Sequence, residues 1–154
     1  MTRCDAASLY FEDVCVGAET PTFQLYLSVQ RLVMEAAASR SFSPIHHDHS
    51  AAIAAGTPGM SAGVLLLSTV FEATLRQWMG LEGKLSRLQI TFLGFNCAGD
   101  KLTCSGRVVG LGISDSRGTV DLELSIETAH GETARARAIV QLPIRRATSH
   151  EGTT

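Results

Sequence analysis

A chain of 154 residues with 45% hydrophobic and 18% charged content suits one globular domain with one core, and this composition excludes a disordered or fibrous protein. The net charge of −2, with Lys and Arg scattered along the chain, leaves no basic stripe to neutralise phosphates, so no nucleic-acid partner is expected. The opening MTRCDAASLYFEDV has no signal-peptide core, and the longest apolar stretch, Val64 to Leu67, is far too short to span a bilayer; a cytoplasmic location and no membrane partner are expected.

In chain order, the first periodic segment is SVQRLVMEAAASR. It places Val29, Leu32, Val33 and Ala36 on one helical face, with Ser28 as the N-cap and an end near Arg40. Pro44 has no backbone donor and disfavours helical geometry at Ser43, so Ser41 to His47 is expected to run extended and present polar side chains. Asp48 should cap a short alanine-rich helix that ends at Gly56 to Gly59.

From Gly63 to Met79 the run GVLLLSTVFEATLRQWM is apolar on most of its circumference, which predicts a central helix wrapped on nearly every side. The period then changes. Alternation in Leu85 to Phe95, Leu102 to Leu111, Val120 to Thr128 and Ala134 to Leu142 predicts four antiparallel strands. The joints at Ala98 to Asp100, Ser114 to Gly118, and His130 with Gly131 have turn chemistry and hairpin length. A buried helix before a curled antiparallel sheet defines an α+β layer. Cys4, Cys15, Cys97 and Cys104 show no CxxC spacing, so reduced thiols outside the chemistry are expected.

Three stretches resemble the MaoC-like (R)-specific enoyl-thioester hydratase and dehydratase family. They are Tyr10-Phe11-Glu12-Asp13-Val14 with Val16-Gly17, the loop Ser43-Pro44-Ile45-His46-His47-Asp48, and Pro143 after the final apolar strand. The resemblance implies the hotdog fold, a curled antiparallel sheet wrapped around a long central helix, over residues 10–144. Residues 1–9 would be an N-terminal extension and 145–154 a polar, frayed tail.

The family's hydratase motif runs aspartate, spacer, asparagine, proline, aliphatic residue, histidine. Those places hold Ser41, Phe42, Ser43, Pro44, Ile45 and His46. By resemblance His46 is the acid-base group, Ser41 stands where the aspartate would hold the water, and the Gly63 N–H stabilises the thioester enolate. Phe42, Ser43, Ile45, Met60, Val64 and Trp78 would line the substrate site or its core wall. A serine hydroxyl cannot replace a carboxylate base, and losing one acid-base partner costs on the order of 100 to 10,000-fold in rate. On that ground the natural chain should hydrate enoyl-CoA poorly, and Ser41→Asp should raise the rate.

Competing readings attach to the same residues. His46, His47, Asp48 and His49 could suggest a metal cluster, but consecutive side chains diverge, so no metal and no cofactor is expected. His46 could merely pack its loop, and Gly63 could serve only close packing. Arg76, Lys84 and Arg87 could meet the phosphates of coenzyme A or a carrier-protein arm, or form a solvated face.

The functional expectation is a lyase acting on an acyl-thioester or polyketide-type substrate, small-molecule or carrier-bound, with isomerisation or cyclisation as repurposed chemistry. Two alternatives stand beside it. One is a non-catalytic MaoC-like subunit of a hetero-oligomeric enoyl-CoA hydratase; the other is a hotdog thioesterase using Glu35 or Glu72. A homodimer joined through sheet edges is expected, because an open edge must be paired or protected.

Overall fold

The computed structural model describes residues 9–114 and 116–145; most of the expected extension and tail therefore lies outside the described residues. Five strands form one antiparallel sheet: β1 (Phe23–Tyr26), β2 (Lys84–Phe92), β3 (Lys101–Ser114), β4 (Arg117–Thr128) and β5 (Gly131–Leu142). The order is β1-β3-β4-β5-β2. Three helices, α1 (Val29–Ser39), α2 (His49–Ala54) and α3 (Val64–Met79), complete the α+β layer. Among the described residues no helix is long and apolar enough to cross a membrane.

The inner face of the sheet carries Leu102, Cys104 and Val108 of β3, then Val120, Leu122, Leu124 and Ile126 of β4. Period-two alternation puts all of them on the side that meets α3, which contributes Leu67, Val70, Phe71, Leu75 and Met79 to the same core. Ala134, Ala136 and Ala138 share the inner face of β5 with Val140 and Leu142, and the three small side chains leave room for the larger ones of the helix. Register shifts between Val108 and Gly110, between Leu85 and Arg87, and between Ile126 and Glu127 bend the strands, so the sheet curls around α3.

Several expectations change. β1, only four residues long, is an additional strand that pairs with β3. The β2–β3 joint is not a hairpin, because β2 pairs with β5 at the opposite edge. Residues 93–100 instead cross the start of α3 and are held by backbone bonds from Leu93 to Thr133 (2.9 Å), from Ala98 to Met60 (2.8 Å) and from Gly99 to Leu27 (2.8 Å). The central helix is covered on one side only, since Val64 and Leu65 are each 59% exposed. A single curled sheet can cover one face of a helix, and the opposite face carries Thr69, Glu72 and Arg76 into solvent.

α1 also sits differently from expectation. Ser28 caps it as expected, accepting from the Arg31 N–H at 3.1 Å. Yet Val29 and Val33 are exposed, and Leu32, Glu35, Ala36 and Ser39 form the inward stripe. The stretches at the two ends of the sequence meet: Phe11 N–H donates to the Pro143 carbonyl at 3.0 Å, and Arg145 lies 4.9 Å over the Tyr10 ring while pairing with Asp13 at 2.8 Å. Phe11 packs so closely on Gly118 that a Cβ there would fall 2.1 Å from the ring, which accounts for glycine at the start of β4.

Candidate active site at the start of the central helix

The His46 loop is built from the end of α1 onward. Arg40 takes a left-handed conformation (φ 54°), and the Ser41 N–H reaches back to the Ala36 carbonyl at 2.9 Å, closing the helix with a Schellman-type turn. Ser43 is extended, as Pro44 requires, but Pro44–His46 then form a 3-10 turn rather than an extended run. The physical reason is that proline's fixed φ and missing donor suit the first position of a helical turn. Asp48 N–H donates to the Pro44 carbonyl at 2.8 Å, and the Asp48 carboxylate accepts from Ala51 N–H at 3.0 Å to cap α2.

This folding delivers the His46 ring to residue 61. Nδ1 lies 2.8 Å from the Ser61 carbonyl oxygen, which can only accept, so Nδ1 carries the proton and in the neutral ring Nε2 is the acceptor. The Ser61 N–H in turn donates to the Ile45 carbonyl at 3.0 Å. Both backbone groups of Ser61 are thus committed to the loop, which fixes the imidazole plane.

The crossing segment holds the other side. Ala62 N–H donates to the Asn96 carbonyl at 2.7 Å, and Ser61 bridges Cys97. Asn96 is itself buried, and its side-chain oxygen accepts from Thr133 Oγ1 at 2.6 Å. Cys97 N–H is taken by the Asp100 carboxylate at 2.7 Å; burial, then the Asp100 charge, push the Cys97 thiol up from its ordinary range.

Gly63 is the N-cap of α3 and is buried. The first N–H groups of a helix have no intrahelical partner, and the positive end of the dipole lies there. A donor set of that kind suits an anionic oxygen.

One carboxylate stands beside this cap. A Cβ built on Gly63 would lie 2.9 Å from both Glu35 oxygens, and Glu35 Oε2 is buried with no hydrogen-bond partner. From the sequence, Glu35 enters only the thioesterase alternative. The available signal was its place in the stripe Leu32, Glu35, Ala36, Ser39, where an acidic residue shares a helix face with buried aliphatic ones.

The remaining residues divide. Ile45 is half-buried beside His46, while Phe42 is 79% exposed and Ser43 and Val64 are exposed. Met60 belongs to the core cluster. Trp78 sits on the last turn of α3, fifteen residues from Gly63, so the helical rise of ~1.5 Å per residue puts it roughly 22 Å from the cap. It packs against the core at the far end and does not join the His46 neighbourhood. His47, Asp48 and His49 are all exposed, and Asp48 is engaged in capping.

A cleft of about 720 Å³ lies on the sheet face turned away from α3, lined by residues such as Gln89, Thr91, Arg107, Glu123, Arg135 and Arg137. It is remote from His46 and is polar, so it does not correspond to the apolar pocket that an acyl chain would need.

Solved structures share this arrangement of layers. The MaoC-like dehydratase from Rhodospirillum rubrum superposes with a TM-score of 0.76 at 20% identity, over 90% of this chain and 99% of that one. The (R)-hydratase from A. caviae involved in PHA biosynthesis gives a TM-score of 0.74 at 24% identity, over 86% of this chain and 99% of that one. This is the hotdog fold of the MaoC-like dehydratases. In sequence, the chain is 27% identical over 96 residues to the 3-oxo-4,17-pregnadiene-20-carboxyl-CoA hydratase beta subunit of Mycobacterium tuberculosis, covering 62% of this chain and 74% of that protein. No family model matches the chain.

Proposed function

We propose that this chain is a MaoC-like hotdog enzyme that adds water to, or removes it from, an acyl thioester, on coenzyme A or a carrier protein and of fatty or polyketide type. The observation that carries the reading is the 2.8 Å bond from His46 Nδ1 to the Ser61 carbonyl, two residues before the α3 cap. It sets the tautomer, leaves Nε2 to accept from a water, and puts the imidazole next to the helix donors. Gly63 N–H polarises the thioester carbonyl and receives the enolate charge; Phe42, Ser43, Ile45 and Val64 line the approach, with Met60 behind them as core wall. Isomerisation or cyclisation of a related substrate would use the same three parts, a histidine, a donor and an apolar approach.

The test is the purified chain with trans-2-enoyl-CoA substrates of several lengths, following loss of the conjugated double bond and release of free thiol separately. Double-bond loss that disappears in His46→Ala, in a variant that still folds, is the expected result. Turnover unchanged in His46→Ala would reduce the histidine to a packing residue. Thiol release without double-bond loss would favour a thioesterase, whose carboxylate would not be Glu72, because Glu72 faces solvent on α3.

A second reading is a subunit that completes its site, or its partner's, in an oligomer. It is supported by the relative that is itself a beta subunit, and by the exposed apolar side chains Val29, Val33 and Met34 of α1 and Phe42 after it. β1 and β2 are the sheet edges through which a homodimer or a hetero-oligomer would continue the sheet. Light scattering showing a monomer at tens of micromolar, with full activity, would exclude both assemblies.

A further inference from the structure

We infer that Glu35 supplies the carboxylate of this site, taking from α1 the place that Ser41 leaves empty. The inference rests on the hydratase reading above. A carboxylate oxygen buried without a donor costs free energy that a structural role would have removed by pairing it or replacing it. Oε2 of Glu35 is such an oxygen, and it lies against Gly63, two residues from the carbonyl that holds His46. An orphaned acceptor beside a helix start is chemically complementary to water, and on this inference the same water also donates to His46 Nε2.

The backbone accounts for how two different residues can serve one point in space. Ser41 N–H is bonded to the carbonyl of Ala36, the neighbour of Glu35, so the turn after α1 folds residue 41 back over the last turns of that helix. Residues 35 and 41 therefore lie at the same end of α1, from which Glu35 reaches the cap of α3.

The step balances with water alone. His46 Nε2 accepts one O–H of the water and orients it. As the water oxygen bonds to C3 of the enoyl thioester, its other proton passes to Glu35 and the π pair moves into the enolate at Gly63 N–H. The same proton then returns from Glu35 to C2, which yields the 3-hydroxyacyl thioester. On this account the natural chain hydrates enoyl-CoA without Ser41→Asp, contrary to the expectation from Ser41 alone.

The experiment compares steady-state hydration of trans-2-enoyl-CoA by the natural chain, Glu35→Gln, His46→Ala, the control Glu72→Gln on the exposed face of α3, and Glu35→Gln combined with Ser41→Asp. Glu35→Gln is expected to lower kcat by roughly 100-fold or more with KM within a few-fold, since it removes an acid-base group and little ground-state binding. Adding Ser41→Asp should restore part of that loss, and Glu72→Gln should do nothing. Thermal melting should place Glu35→Gln at or above the natural chain, because a neutral amide replaces a half-buried carboxylate whose Oε2 has no hydrogen-bond partner. Turnover that needs His46 but is indifferent to Glu35→Gln overturns this inference and leaves the hydratase reading standing. A kcat loss matched by a lowered melting temperature, with no rescue by Ser41→Asp, overturns it in favour of a structural role. A natural chain that hydrates no enoyl thioester overturns both together.

Discussion

On the outer face of the sheet, Arg107 pairs with Glu19 at 2.8 Å and Arg137 with Glu123 at 3.2 Å, with all four side chains more than half exposed. These charges border the 720 Å³ cleft and are screened by water. At the start of α3 the polar groups are fewer and less forgiving. Ser61 has both backbone groups committed, Asn96 is buried and bonded to Thr133, and one Glu35 oxygen has no partner at all. The outer cleft is therefore the less constrained of the two regions. At His46 backbone constraints over-determine the side chain, and burial around it makes each polar atom matter more.

The contrast can be broken first at the site. His46→Ala should reduce any hydration by 100-fold or more, about 3 kcal/mol or greater in activation free energy, with an unchanged circular dichroism spectrum. A loss of the folded spectrum would instead make the Ser61 bond a structural clamp.

Neighbouring residues on β4 sharpen the contrast for stability. Leu122 is buried on the inner face and Glu123 is exposed on the outer one. Leu122→Ala should cost about 2–5 kcal/mol in denaturant unfolding, from lost burial and the cavity left behind. Glu123→Ala should cost less than about 1 kcal/mol. Equal costs would mean that the outer face is covered in solution, as an interface would cover it.

A pH measurement reads the same boundary from the inside. Burial raises the Cys104 thiol from 9.0 to about 11. A raised folded value means that the folded state keeps a proton which the unfolded chain releases. This contribution is therefore complete below pH 9 and is lost as pH rises through 11, up to roughly 3 kcal/mol. Cys104→Ala should flatten the alkaline fall of stability over that window, measured against denaturant. An unchanged slope would show the thiol to be hydrated. The smallest effect is expected at Arg107→Ala, within about 0.5–1 kcal/mol and vanishing in high salt.

Much of the scaffold was legible from local rules. The N-caps Ser28 and Asp48, the span of α3 and the β3-β4-β5 meander follow from capping chemistry and hydrophobic period, which act over a few residues. β1 was not legible, because four residues reading Phe-Gln-Leu-Tyr are too few to establish a period. The face of α1 was misjudged for a related reason. Val29 and Val33 are apolar and in phase, but what buries a residue is the neighbour opposite it, and here the opposite neighbour met Glu35 and Ser39 instead.

By itself the sequence determined the α+β layering and the helix and strand periods, and the resemblance of the Pro44-Ile45-His46 loop marked out the histidine. Only the tertiary structure decided that β2 crosses to pair with β5, that His46 is tied to a carbonyl fifteen residues away, and that a carboxylate from α1 reaches the cap of α3. Those three contacts join segments distant in the chain. Periodicity and capping preferences hold only between near neighbours in sequence, so they fix each element without fixing which elements meet.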